Sequence, residues 1–120
     1  MRKSKEYAWL LQTLKRSSAR RGYELLLTYE DLLSIIKKSH GHCHYCGRSI
    51  TWEKYSRDDF GNRHSEAVNL DRKDNLKGYQ LDNVVPCCIK CNLIKSGQLN
   101  YDEFMLLSPV LKKIRRARHE

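Results

Sequence analysis

The strongest chemical signal in this chain of 120 residues is two CxxC pairs, Cys43 with Cys46 in CHYC and Cys88 with Cys91 in CIKC. A CxxC turn puts two thiolates on one side of a tight loop, which is half of a tetrahedron. Two such turns complete an all-cysteine zinc site with Zn–S distances of about 2.3 Å. Four sulfur ligands leave no position open for water or substrate, so a zinc ion held there is structural. Cys87 breaks the CxxC spacing with Cys91 and is expected in the core as a small apolar residue. His42 and His44 flank the first pair and are expected as surface or supporting groups rather than ligands. The first residues, MRKSKEYAWLLQ, contain no continuous apolar leader segment. Five cysteines in such a chain read as metal ligands plus one spare, not as disulfides, and imply a cytoplasmic protein.

The two pairs are 41 residues apart, wider than a zinc ribbon needs, which leaves room for a functional insert between them. Charge suggests what that insert meets. Lysine and arginine total 23 and the acids 14, a formal net charge of +9. Such an excess points to a polyanion, and nucleic acid is the leading candidate because neutralised phosphates release their counterions. No apolar run approaches the roughly 20 residues needed to span a bilayer. Hydrophobic residues make up 40% of the chain and recur at helical spacing, which excludes a disordered polymer. The length suits one domain with a modest core, which a structural metal would help to hold.

The elements that must position these residues follow from periodicity and caps. Over 4–21, Tyr7, Leu10, Leu11 and Leu14 form one helical face, with Lys15, Arg16, Arg20 and Arg21 opposite and Gly22 as the C-cap. Arg20 and Arg21 are candidate phosphate contacts. Thr28, followed by Glu30 and Asp31, opens a second helix that carries Leu32, Leu33, Ile35 and Ile36 and ends near 38–40. Ile50–Trp52 reads as a short strand and 54–63 as a loop. A strand over 66–70 is expected to end at Asp71, and a second to cover 83–86. The polar stretch between them contains Gly78, expected to permit a tight turn. Residues 88–96 form a helix stopped by Gly97. Asn100 caps another over 101–107, and Pro109 is expected to restart a last one leading into the basic tail. Tyr45 and Trp52 are expected to pack around the zinc. The fold class is therefore α+β. A basic helical region over 1–40, a zinc-stapled core over 41–97 and C-terminal helices over 98–120 are expected to form one compact domain.

Residues 68–97, VNLDRKDNLKGYQLDNVVPCCIKCNLIKSG, resemble the HNH endonuclease motif in its zinc-knuckle form. The segment before them, SSARRGYELLLTYEDLL followed by CHYCG, is similar to the region upstream of that motif in small phage-type HNH proteins. The resemblance implies a ββα-metal core in which two strands and a helix hold one divalent cation, Mg2+ or Mn2+. Asp71 takes the position of the first ligand and Asn92 that of the second. Asn83 corresponds to the central residue that orients the general base. Lys95, one turn after Asn92, is expected at a phosphate. The residue types fit on their own terms, because a hard cation prefers oxygen ligands while zinc takes the sulfurs. The implied protein is a metal-dependent endonuclease or nickase acting on double-stranded DNA in the cytoplasm of a phage-infected or bacterial cell, as a monomer or homodimer.

One position departs from the pattern. The general-base histidine of such enzymes directly follows the first ligand, and here that residue is Arg72, which stays protonated near neutral pH. Three readings remain open. His64 takes the proton; or metal-bound water attacks with help from bulk solvent while Arg72 stabilises phosphate charge; or the domain binds nucleic acid without cutting it.

Overall fold

The computed structural model describes residues 6–52 and 67–119, so the expected loop over 54–63, His64 and the start of the strand expected over 66–70 lie outside the described residues. In chain order the elements are α1 (Ala8–Arg21), α2 (Tyr29–Ser39), β1 (Asn69–Arg72), a 3-10 turn (Leu81–Asn83), β2 (Val84–Cys87), α3 (Ile89–Lys95) and α4 (Tyr101–Ala117). Among the described residues the architecture is α+β, with four helices around one two-stranded antiparallel sheet. None of the described helices is long and apolar enough to cross a membrane.

The helices form where their caps dictate. α1 stops at Gly22, which adopts the left-handed conformation (φ 77°) and donates to Ser18 and Ala19 carbonyls. α2 begins with a capping box. The Thr28 hydroxyl accepts from the Asp31 amide at 3.1 Å, and the Asp31 carboxylate accepts from the Thr28 amide at 3.1 Å. Asn100 and Glu103 make the same reciprocal pair at the start of α4, at 2.8 and 2.9 Å. Leu10 and Leu14 of α1, Leu32 and Ile35 of α2, and Phe104 of α4 bury their side chains in the core, with Tyr45, Val84 and Val85 among them.

The sheet is shorter than its role suggests. Asn69 faces Cys87, Asp71 faces Val85 and Arg72 faces Val84, so β1 runs past Asp71 by one residue. β2 begins at Val84, one residue later than expected, because Asn83 closes the 3-10 turn. Residues 50–52 form no strand; Thr51 makes a single parallel bridge to Ala67.

Gly78 is required for a reason other than a turn. It is absent from the positive-φ glycines, but a methyl group there would collide with the Glu24 carbonyl. The close approach lets the α1–α2 linker pair with the β1–β2 loop. Tyr79 N donates to Glu24 O at 2.8 Å, and Leu26 N donates to Tyr79 O at 2.7 Å.

Pro109 does not restart a helix. α4 runs through it without a break for 17 residues. Proline removes the bond its N–H would give to residue 105 and crowds that carbonyl. Tertiary anchoring overrides this penalty: Phe104 is buried against Tyr45, and the Ser108 hydroxyl donates to the Tyr45 carbonyl.

Candidate active site

The four paired cysteines converge. Their sulfur atoms all lie within 4.8 Å of one another, and Cys46 Sγ stands 3.8 Å from Cys88 Sγ. A tetrahedron of sulfurs around zinc at about 2.3 Å has edges of about 3.8 Å, so the donor set and its spacing fit that ion. The Cys91 amide donates to Cys88 Sγ, and the Tyr45 amide to Cys43 Sγ, each at 3.4 Å. Hydrogen bonding with Cys46, then with Cys88 and Cys91, pulls the Cys43 thiol far below its ordinary range. Cys46 and Cys91 are pushed far above it, each chiefly by Cys43. Four packed sulfurs cannot all ionise alone; a cation at their centre removes that conflict. Cys87 stays out of the cluster at the end of β2, fully buried, and burial raises its thiol. His42 and His44 stay out too. His42 Nδ1 meets the Gly47 carbonyl at 3.1 Å, and His44 Nε2 meets the Tyr101 hydroxyl at 2.7 Å.

The cluster joins two segments that both reach Asp71. From the first knuckle, the Tyr45 hydroxyl donates to Asp71 Oδ2 at 2.6 Å. Burial, then the bond to Asp71, raises the Tyr45 pKa well above the phenol range. From α3, Lys95 Nζ lies 3.2 Å from Asp71 Oδ2 and 3.4 Å from Oδ1, and it also donates to the Arg72 carbonyl at 3.3 Å. Lys95 is only 1% exposed. The sequence placed it at a phosphate; the structure places it beneath the carboxylate. Its position follows from helical spacing, because Lys95 lies one turn after Cys91 and shares the buried face of α3. Asn92, next to Cys91, is half-buried.

Asp71 and Asn92 line one cleft of about 580 Å3. α1 lines it with Thr13, Ser17 and Arg21 among others, and Arg72 and Tyr23 also border it. Arg21 therefore faces the same space as Asp71, whereas Arg20 lies exposed outside the lining. Arg72 is held in place: its Nη1 donates to the Asn75 and Lys77 carbonyls, both at 2.9 Å, and its guanidinium carbon sits 3.4 Å from the centre of the Tyr23 ring. Its other N–H groups make no bond to the described residues. Asn83 braces the β1–β2 loop. Its side-chain oxygen accepts from the Asp74 amide at 2.9 Å, and its amide donates to the Asp74 and Gly78 carbonyls at 3.1 and 2.9 Å.

Two contributions were not visible beforehand. Tyr45 packs near the cysteines as expected, but its hydroxyl fixes the carboxylate as well. α1 was recognised for its basic face, yet it also offers two small hydroxyl side chains to the cleft. No pattern in the sequence marks either.

Neither a family model nor a curated protein matches the chain. Among solved structures, the fold is that of an HNH endonuclease. The chain is similar to PacI, a rare-cutting HNH restriction endonuclease described for an extraordinary mechanism of DNA perturbation, with a TM-score of 0.77 at 23% identity. The similarity spans 98% of this chain and 84% of that one.

Proposed function

We propose that the cleft hydrolyses phosphodiester bonds in double-stranded DNA with a divalent cation, Mg2+ or Mn2+, held by Asp71 and Asn92. One observation carries this reading: a carboxylate from β1 and an amide from α3, 21 residues apart in sequence, line the same cleft as a cationic helix. The likeness to a DNA-cutting HNH enzyme supports it. Oxygen donors fit a hard cation. A carboxylate offers about four lone-pair sites. Tyr45 and Lys95 approach Asp71 mainly at Oδ2, which leaves Oδ1 the less occupied oxygen. The cation would stabilise charge on the phosphoryl oxygens and on the departing 3′ oxygen.

The chain's own groups do the rest. Tyr45 and Lys95 hold the Asp71 carboxylate in one orientation and offset its charge. Arg21 draws a phosphate into the cleft from the α1 side. Arg72, braced by Tyr23 and two carbonyls, presents its remaining N–H groups to phosphate charge and takes no proton. Asn83 keeps the β1–β2 loop rigid and so fixes the backbone that follows Asp71. The proton of the attacking water passes to solvent.

The test is plasmid nicking by the zinc-loaded protein, with Mg2+ or Mn2+ added or omitted, comparing wild type with Asn92→Ala and Asp71→Asn. Cutting that needs the added ion, and falls at least about tenfold in either variant with circular dichroism unchanged, supports the assignment. Asn92→Ala keeps the test decisive if the Asp71 variant folds poorly. Undiminished cutting in both variants overturns the ligand assignment. DNA binding without cutting under any divalent ion replaces the enzyme with a nucleic-acid-binding domain.

A further inference from the structure

The two halves of the cysteine cluster are built differently. Cys88 and Cys91 sit at the start of α3, where the helix sets their spacing. Cys43 and Cys46 sit in a turn. The Gly47 amide closes it by donating to the Cys43 carbonyl at 3.0 Å, and the Cys43 amide donates to the Arg48 carbonyl at 2.7 Å. This half has no helix of its own to fix its sulfurs. Its support comes from α4, far along the chain.

α4 meets the turn residue by residue. The Tyr101 hydroxyl and His44 Nε2 are 2.7 Å apart. The Phe104 ring stands edge-on to the Tyr45 ring, with centroids 4.6 Å apart, and the Ser108 hydroxyl donates to the Tyr45 carbonyl. Next in line, Arg115 Nε donates to the Cys46 carbonyl at 2.8 Å. Positions 101, 104, 108 and 115 follow one another at three-, four- and seven-residue steps, which is one face of a helix.

Arg115 differs from the other three because it brings a charge. Its guanidinium stays protonated, is half-buried and lies against the turn, where a methyl group on Gly47 would come within 3.6 Å of Nη2. Four thiolates around a divalent ion leave a surplus of negative charge. A fixed cation bonded to the backbone of one ligand residue orients that ligand and offsets the surplus. We propose that Arg115 is a positioning residue for the zinc site, holding Cys46 in place from α4 and strengthening the chain's hold on the ion. This goes beyond the nuclease reading and does not depend on it.

Competition for zinc between the full chain and a chromophoric chelator tests this, because it reads the zinc dissociation constant and needs no DNA. Arg115→Met keeps an apolar stem and removes the donor and the charge. It is expected to raise that constant at least about tenfold, with the circular dichroism of wild type once zinc is saturating. Arg115→Lys returns a donor and the charge and is expected to recover most of the loss, since one bond to a carbonyl does not need the guanidinium fork. Arg116 is exposed, so Arg116→Met, which removes the same charge one residue along, is expected to leave the constant unchanged. If Arg115→Met does not fold at saturating zinc, Arg115→Gln, which has no charge, replaces it under the same criterion. Weakening of less than about tenfold, no recovery in Arg115→Lys, or equal weakening by Arg116→Met overturns the proposal.

Discussion

At the scale of single residues, the cleft depends on a buried ion pair that one glance at Asp71 does not reveal. Lys95 sits 3.2 Å from the carboxylate and is almost wholly enclosed. Removing one member of such a pair leaves a charge in a poorly solvated site, which costs about 3–5 kcal/mol. Lys95→Met and Asp71→Asn are each expected to destabilise the fold by about 3 kcal/mol, whereas the double variant recovers most of that loss. Urea unfolding of the four proteins measures the coupling, and additive losses would show that the pair is not a unit. Asp71, Asn83 and Asn92 were singled out from their places in a short motif; Asp71 and Asn92 line one cleft, and Asn83 braces the loop beside it. Lys95 was placed correctly on its helix and wrongly in space. Lysine is ordinarily a surface residue, and only the position of Cys91, one turn earlier, marks this face of α3 as buried. Tyr45 was read as packing, which is right for its ring and silent about its hydroxyl. Hydrogen bonds across 26 positions leave no periodic trace in a sequence. Arg72 is bound to two carbonyls and an aromatic ring, which suits a fixed cation and not a base, and His64 lies outside the described residues.

At the scale of elements, the first three helices and both strands of the sheet were readable to within a few residues, whereas the strand expected over 50–52 and the break expected at Pro109 were not found. α1, α2 and α3 end within a few residues of their expected bounds because caps and 3.6-residue periodicity are local signals. β1 and β2 are four residues each, too short for alternation to fix their ends. Gly78 shows the same limit. Its need comes from the Glu24 carbonyl on another segment, not from its own dihedrals. α4 is the clearest case of tertiary context overriding local preference, since it continues through Pro109. Replacing that residue restores an N–H that can bond to residue 105 and removes the ring from the preceding carbonyl. Pro109 is exposed, so no packing is lost. Pro109→Ala is therefore expected to stabilise the protein, by about 1–3 kcal/mol. A raised thermal midpoint with an unchanged spectrum bears this out. A lowered midpoint would mean that the proline restricts the unfolded chain more than it strains the helix.

At the scale of the whole molecule, the sulfur cluster and the oxygen-lined cleft suit two metals with different tasks. The zinc site ties the 43–46 knuckle to the start of α3, and from those two anchors come Tyr45 and Lys95, the two partners of Asp71. A zinc ion held by the four sulfurs would thus fix the geometry of a carboxylate that it does not touch. The proposed second ion would be held at the open cleft, away from the cysteine cluster. The two removals should separate. Stripping zinc with a thiol-competing chelator is expected to collapse the near-ultraviolet signal of Tyr45 and its aromatic neighbours and to abolish cutting, with both restored by added zinc. Omitting Mg2+ or Mn2+ is expected to abolish cutting alone. Acid should mimic the first treatment, because protons compete with zinc for the thiolates and the ion is released as pH falls. Circular dichroism and nicking measured on the same samples distinguish the cases. If zinc removal leaves the aromatic signal and the cutting intact, the sulfur cluster does not position Asp71. If omitting the second ion unfolds the chain, the cleft cation is structural and the division of labour between sulfur and oxygen ligands is wrong.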